Sequence, residues 1–139
     1  MVDDWCRFLP RNFEVILGVP RGGLMVAERI ALNFGVGLAT PKGFLEGDVW
    51  FSSNLSKPNK INHVLVVDDT VEFGRQLFRD VWCLRNMFPS VVFESAALVK
   101  VGSGCSLDFF YCGAESFIFQ GDVPKVLLDR GVARLEDLM

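Results

Sequence analysis

Two adjacent carboxylates, Asp68 and Asp69, end the apolar run Val64 to Val67 and are followed by Thr70, Val71, Glu72, Phe73, Gly74, Arg75 and Gln76. Neighbouring acids repel each other unless a cation or hydroxyl donors share their site, so the pair suits the hydroxyls of a sugar or a hydrated Mg²⁺ ion. The competing reading is structural: one aspartate caps the next turn and the other faces solvent. A second segment, Gly18-Val19-Pro20-Arg21-Gly22-Gly23, opens a helical pattern. Its amides lie at the positive end of that helix, its glycines let an anion approach the backbone, and Arg21 adds a bidentate cation. Phosphate or pyrophosphate is the ligand such a loop accepts, although glycines also begin helices for turn geometry alone.

The elements that must position these residues follow from periodicity. Glu14 to Val19 reads as a strand, and Leu24, Ala27, Ile30, Ala31 and Phe34 recur at helical spacing until Gly35. Val36 to Ala39 is a second strand, whereas residues 41–62 are polar, rich in Gly, Pro, Ser and Asn, and read as a long mobile loop. A third strand, His63 to Asp68, leads through Gly74 into a helix whose stripe is Leu77, Val81, Leu84 and Phe88. Residues 91–101, 107–112 and 116–119 read as further strands, and Pro124 fits the first turn of a closing helix. Alternating strands and helices predict an α/β fold: one domain, residues 1–139, with an open, mainly parallel twisted sheet flanked by helices. In such a sheet the ligand crevice borders the carboxyl ends of the strands, which brings the loops after strands one and three together.

Composition narrows the partners. The 139 residues are half apolar and carry a net charge of −3, without the cationic stripe that docks nucleic acid. No apolar run approaches the ~20 residues that cross a bilayer, and the acidic start Asp3-Asp4 is unlike a signal peptide, so a cytoplasmic protein is expected. Cys6, Cys83, Cys105 and Cys112 lack zinc-site spacing, His63 is the lone histidine, and reduced thiols are expected.

Residues 64–74 resemble the signature with which type I phosphoribosyltransferases bind phosphoribosyl pyrophosphate (PRPP), and Gly18 to Leu24 resembles their pyrophosphate loop. The order and separation of the two motifs also match, and the resemblance spans about residues 12–120. It implies a sheet of that family's kind with a small variable hood, drawn here from residues 1–12 and 109–139. It also implies that Asp68 and Asp69 hold the ribose 2- and 3-hydroxyls directly or through Mg²⁺. Thr70 and the turn Val71, Glu72, Phe73, Gly74, Arg75 and Gln76 would receive the 5-phosphate. Arg21, Gly22 and Gly23 would bind pyrophosphate, with a cis bond joining Pro20 to Arg21. The implied reaction moves the ribosyl C1 from pyrophosphate to a ring nitrogen of a planar nucleobase, with Glu72 managing the ring proton of a purine-type acceptor. The catalytic set is therefore Glu72, Asp68 and Asp69, the cofactor Mg²⁺, the setting nucleotide salvage and the assembly a homodimer.

Two positions depart from the family pattern: Phe73 replaces a threonine, and Gln76 replaces a Thr or Ser that donates a hydroxyl to the phosphate. This opens two further possibilities, a related phosphosugar as donor, or a catalytically inactive PRPP-binding regulatory or scaffold domain. A phosphorelay receiver is disfavoured because its acid pair belongs near the start of the chain. Residues 41–62 correspond to the family's flap, with Lys42, Lys57 and Lys60 as cations for pyrophosphate and Trp50 and Phe51 as covers. Trp5, Phe117 and Phe119 are candidates both for stacking on a base and for core packing.

Overall fold

The computed structural model describes residues 1–55, 57–114, 119–120 and 123–124. The elements run α1 (Val2–Cys6), β1 (Val15–Gly18), α2 (Gly22–Phe34), β2 (Gly37–Ala39), α3 (Pro41–Leu45), β3 (His63–Val71), α4 (Arg75–Met87), β4 (Val92–Val101) and β5 (Phe109–Ala114). Two short strands, β6 (Phe119–Gln120) and β7 (Val123–Pro124), pair antiparallel.

The five longer strands form one parallel sheet in the order β2-β1-β3-β4-β5, as the alternation of apolar runs and amphipathic stretches predicts. Parallel strands need crossovers, and these place apolar cover on both faces. On one face Ile16, Leu65 and Leu98 meet Ile30 and Ala27 of α2 and Trp5 of α1. On the other, Leu17, Val66 and Phe93 meet Leu77, Val81 and Leu84 of α4 and Phe44 of α3. Gly35 ends α2 in the left-handed conformation, φ 65°, as its place after the periodic residues predicts. Among the described residues no helix is long and apolar enough to cross a membrane.

Three expectations are corrected. Residues 41–62 are not wholly a loop: Thr40 caps α3 by accepting from the Gly43 amide at 2.9 Å, Phe44 is 7% exposed, and Trp50 pairs with Leu38 through two backbone hydrogen bonds. The threonine-proline start of α3 is a helix signal that the surrounding Gly and Asn concealed. Strand β3 runs on to Val71, so the acids lie inside the strand rather than at its end, because β4 keeps pairing with it as far as Val71↔Lys100. Pro124 belongs to β7 and not to a helical first turn. The expected strand at 116–118 and the helix beyond Pro124 fall outside the described residues.

The segment assigned to a hood is partly core. Trp5 is 3% exposed and lies against Tyr111, and Asp3 on α1 grips Arg29 of α2 through two bonds of 2.7 and 2.8 Å and accepts from Asn33 at 2.7 Å. Trp5 is therefore a packing residue; Phe117 and the Phe119 side chain lie outside the described residues.

Candidate functional site

The loop after β1 and the acids of β3 touch. Pairing of β1 with β3 carries Gly18 to the level of Val67, and the next amide, Val19, donates to the Val67 carbonyl at 2.9 Å. The chain then turns through a cis peptide bond between Pro20 and Arg21 and enters α2 directly above the acids. A Cβ built on Gly22 would lie 2.6 Å from Cγ of Asp69, and one built on Gly23 would lie 2.6 Å from the Val67 carbonyl oxygen and 2.9 Å from Cα of Asp68. Ordinary contacts need roughly 3.5–4 Å, so a side chain at 23 would strike the β3 backbone and one at 22 would push the Asp69 carboxylate aside. Among the described residues no side chain caps α2, whose N-cap is the exposed Arg21. A helix start without a side-chain cap thus lies against two carboxylates, with the exposed Arg21 next to it in the chain.

The acids satisfy their own backbone. Asp68 Oδ1 accepts from the Asp69 amide and Asp69 Oδ1 from the Thr70 amide, each at 2.8 Å. The alternation of faces slips here, since Val67 packs with the α2 side while Val71, four residues on, packs with the α4 side. Neither acid pairs with a Lys or Arg among the described residues. Burial first, and then the hydrogen bond and negative charge of Asp69, push the Asp68 carboxyl up to about 8. The amides account for one oxygen of each acid, the two side chains share a hydrogen bond, and so close a pair suits a cation or sugar hydroxyls that take the place of the shared proton.

Beyond Val71 the chain passes through Glu72, half-buried, and the exposed Phe73 to Gly74, which sits at φ 70° as the N-cap of α4. Because glycine has no side chain to cap with, the first-turn amides at Arg75 and Gln76 face the region beyond the helix start. The Gln76 side chain is turned along the helix, donating to Asp80 Oδ1 at 3.0 Å. Arg75 is exposed.

The structure thus brings Arg21, Gly22, Gly23, Asp68 and Asp69 to one place, with Thr70 to Gln76 continuing from the acids. Lys42, Lys57 and Lys60 are exposed, and Lys57 Nζ lies 6.0 Å from the Phe51 ring centre. Gly104, in the loop after β4, was not singled out by the sequence pattern; it lies against Phe73. Its one signal was the Gly102-Ser103-Gly104 run, which reads equally as a plain turn. Two apolar cavities, of about 420 Å³ beside Trp50 and Leu32 and about 480 Å³ beside Phe8 and Phe110, include no residue of either loop.

No protein-family model matches the chain, and no curated protein sequence matches it. Solved structures do. The chain superposes on Helicobacter pylori xanthine-guanine-hypoxanthine phosphoribosyltransferase with a TM-score of 0.62 and 20% identity, over 92% of this chain and 90% of that one. It superposes on a Pyrococcus horikoshii OT3 purine phosphoribosyltransferase with a TM-score of 0.62 and 20% identity, over 88% and 86% of the two chains. For Aeropyrum pernix orotate phosphoribosyltransferase the TM-score is 0.50 at 20% identity, over 80% and 62%.

Proposed function

We propose that this chain, which has the fold of the type I phosphoribosyltransferases, transfers the ribose 5-phosphate of PRPP to a purine-type nucleobase with release of pyrophosphate. The observation that carries this reading is the contact of the Gly22-Gly23 helix start with the Asp68-Asp69 pair, which joins a pyrophosphate-type cradle to a pair of hydroxyl acceptors. In this reading Asp68 and Asp69 accept from the ribose hydroxyls. The Arg21 guanidinium and the amides at the start of α2 neutralise the leaving pyrophosphate, and the amides from Gly74 to Gln76 hold the 5-phosphate. The bond from C1 to the pyrophosphate oxygen breaks as a ring nitrogen bonds to C1. Positive charge that develops on the sugar is offset by the acids beneath it, and Glu72 takes up the ring proton.

The donor set fits Mg²⁺: two carboxylates unpaired with any cation among the described residues supply hard oxygen ligands. Among the described residues no cluster of three ligating side chains exists, so Asp68 and Asp69 are the residues that would hold the ion. When bound, the ion supplies charge neutralisation to pyrophosphate.

One observation supports a second reading, a regulatory or scaffold domain that binds PRPP or a related phosphosugar without turnover. The Gln76 amide is held by Asp80 and Phe73 brings no hydroxyl, so the phosphate turn relies on backbone amides and Arg75. Incubation with PRPP, Mg²⁺ and single nucleobases, assayed for pyrophosphate, tests both. Release that vanishes in Asp68→Asn and on chelation of Mg²⁺ supports the enzyme. Binding of PRPP without release on any base favours the regulator, and absence of binding overturns both.

A further inference from the structure

Phe73 stands in the turn that the reading above assigns to the sugar phosphate, yet its ring meets a different loop. A Cβ built on Gly104 would lie 2.7 and 2.9 Å from Cδ1 and Cε1 of Phe73 and 3.2 Å from the carbonyl oxygen of Glu72. These separations are shorter than ordinary contacts of roughly 3.5–4 Å, so a side chain at residue 104 would displace the Phe73 ring from its place against the loop. The geometry follows from the sheet. Strands β3 and β4 pair as far as Val71↔Lys100, so the turn at 72–74 and the loop at 102–107 leave neighbouring strands at one level.

The far end of that loop is anchored independently. Cys105 and Leu107 pack against the core face that holds Val71 and Phe93, and Asp108 accepts from the amide and hydroxyl of Ser95 at 2.8 and 3.1 Å. Its near end turns at Gly102, φ 66°. Between these anchors Gly104 rests against the Phe73 ring, which is itself 56% exposed. A hydroxyl side chain at position 73 would be too short to make this contact.

We infer that Phe73 is a positioning residue that couples the phosphate turn to the 102–107 loop and makes that loop a wall of the crevice. Filling the turn then orders the loop as well, through the ring. The inference rests on the proposed function only for the identity of the ligand; the coupling of the two loops stands without one.

Hydrogen exchange read by mass spectrometry on the full chain tests it, in wild type, Phe73→Ala, Phe73→Tyr, Gly104→Ala and the Phe73→Ala/Gly104→Ala double variant. Without ligand, amides at 102–107 exchange ~10-fold faster in Phe73→Ala, while β1 amides are unchanged and report an intact fold. Phe73→Tyr keeps wild-type protection there. Gly104→Ala loosens residues 72–74, and removing the ring in the double variant restores them, which a merely local defect at 104 would not do. Equal exchange at 102–107 in wild type and Phe73→Ala overturns the coupling. With PRPP and Mg²⁺, wild type gains protection at 74–77 and at 102–107, whereas Phe73→Ala gains it only at 74–77. Protection at 74–77 alone in wild type overturns the inference and leaves the proposed function standing. Protection nowhere, with the ligand-free difference intact, supports the coupling and counts against the proposed function.

Discussion

Gly22 lies against the carboxylate of Asp69, so close that a methyl group on residue 22 would stand 2.6 Å from the aspartate Cγ. Gly22 opens α2 and Asp69 lies inside β3, and their contact joins the glycine loop to the acid pair. Gly22→Ala therefore costs about 1–3 kcal/mol of stability through overpacking and lowers PRPP affinity at least ~10-fold. Urea denaturation and calorimetric titration measure the two effects. Truncating the opposing acid, in Gly22→Ala/Asp69→Ala, recovers the stability and not the binding.

Asp68 makes stability depend on pH in an unusual direction for an acid. Its carboxyl is raised from 3.8 to about 8, chiefly by burial and then by Asp69, so the folded chain keeps a proton that the unfolded chain has released. That contribution is fully present below about pH 4 and is lost as pH rises through about 8. Asp68→Asn, which needs no proton, flattens this decline. Thermal melts without ligand near pH 9 should place the variant ~2–5 °C above wild type, while near pH 4 the two converge. A ligand that uses the ionised carboxylate binds more tightly as pH rises towards 8.

Gln76 donates to Asp80 and so withholds its amide from the turn. Gln76→Thr removes that bond and supplies a hydroxyl at the start of α4. The Kd for PRPP should fall ~10-fold, in line with one hydrogen bond to a charged group. An unchanged Kd would show that a hydroxyl at position 76 does not reach the phosphate.

Glu72 follows the acids and is half-buried at the turn. If it handles the ring proton, Glu72→Gln lowers kcat ~10²- to 10⁴-fold and leaves the KM for PRPP within a factor of about two. A rise in KM without loss of kcat would assign it to donor binding instead.

Phe44 distinguishes a core residue from a flap residue. Its ring meets Phe88 at 5.1 Å and Phe93 at 5.9 Å between centres, both edge to face. Phe44→Ala should cost ~3–5 kcal/mol in denaturant unfolding, whereas the same change in a solvated flap would cost almost nothing.

What was legible in the chain was local. The stripe Leu77, Val81, Leu84 buries as its spacing requires, Gly35 ends α2 where the pattern stops, and the apolar runs of β1 and β3 lead to parallel neighbours because each is followed by a 13-residue helix that crosses over. The acids and the glycine loop were recognisable because their residue types are costly or unusual where they stand. Less legible was α3, since the Thr40-Pro41 start competes with the turn residues around it, and only burial of Phe44 against Phe88 and Phe93 decides the outcome.

The sequence by itself determined which residues carry charge, which segments are apolar and in what order they alternate, because periodicity and turn chemistry act over a few residues. Tertiary structure alone decided that β3 runs on past its acids to Val71, that Gly22 closes on Asp69, and that Phe73 rests on Gly104. Those outcomes depend on strand register and on close contact between segments distant in the chain, and no local pattern encodes such contacts.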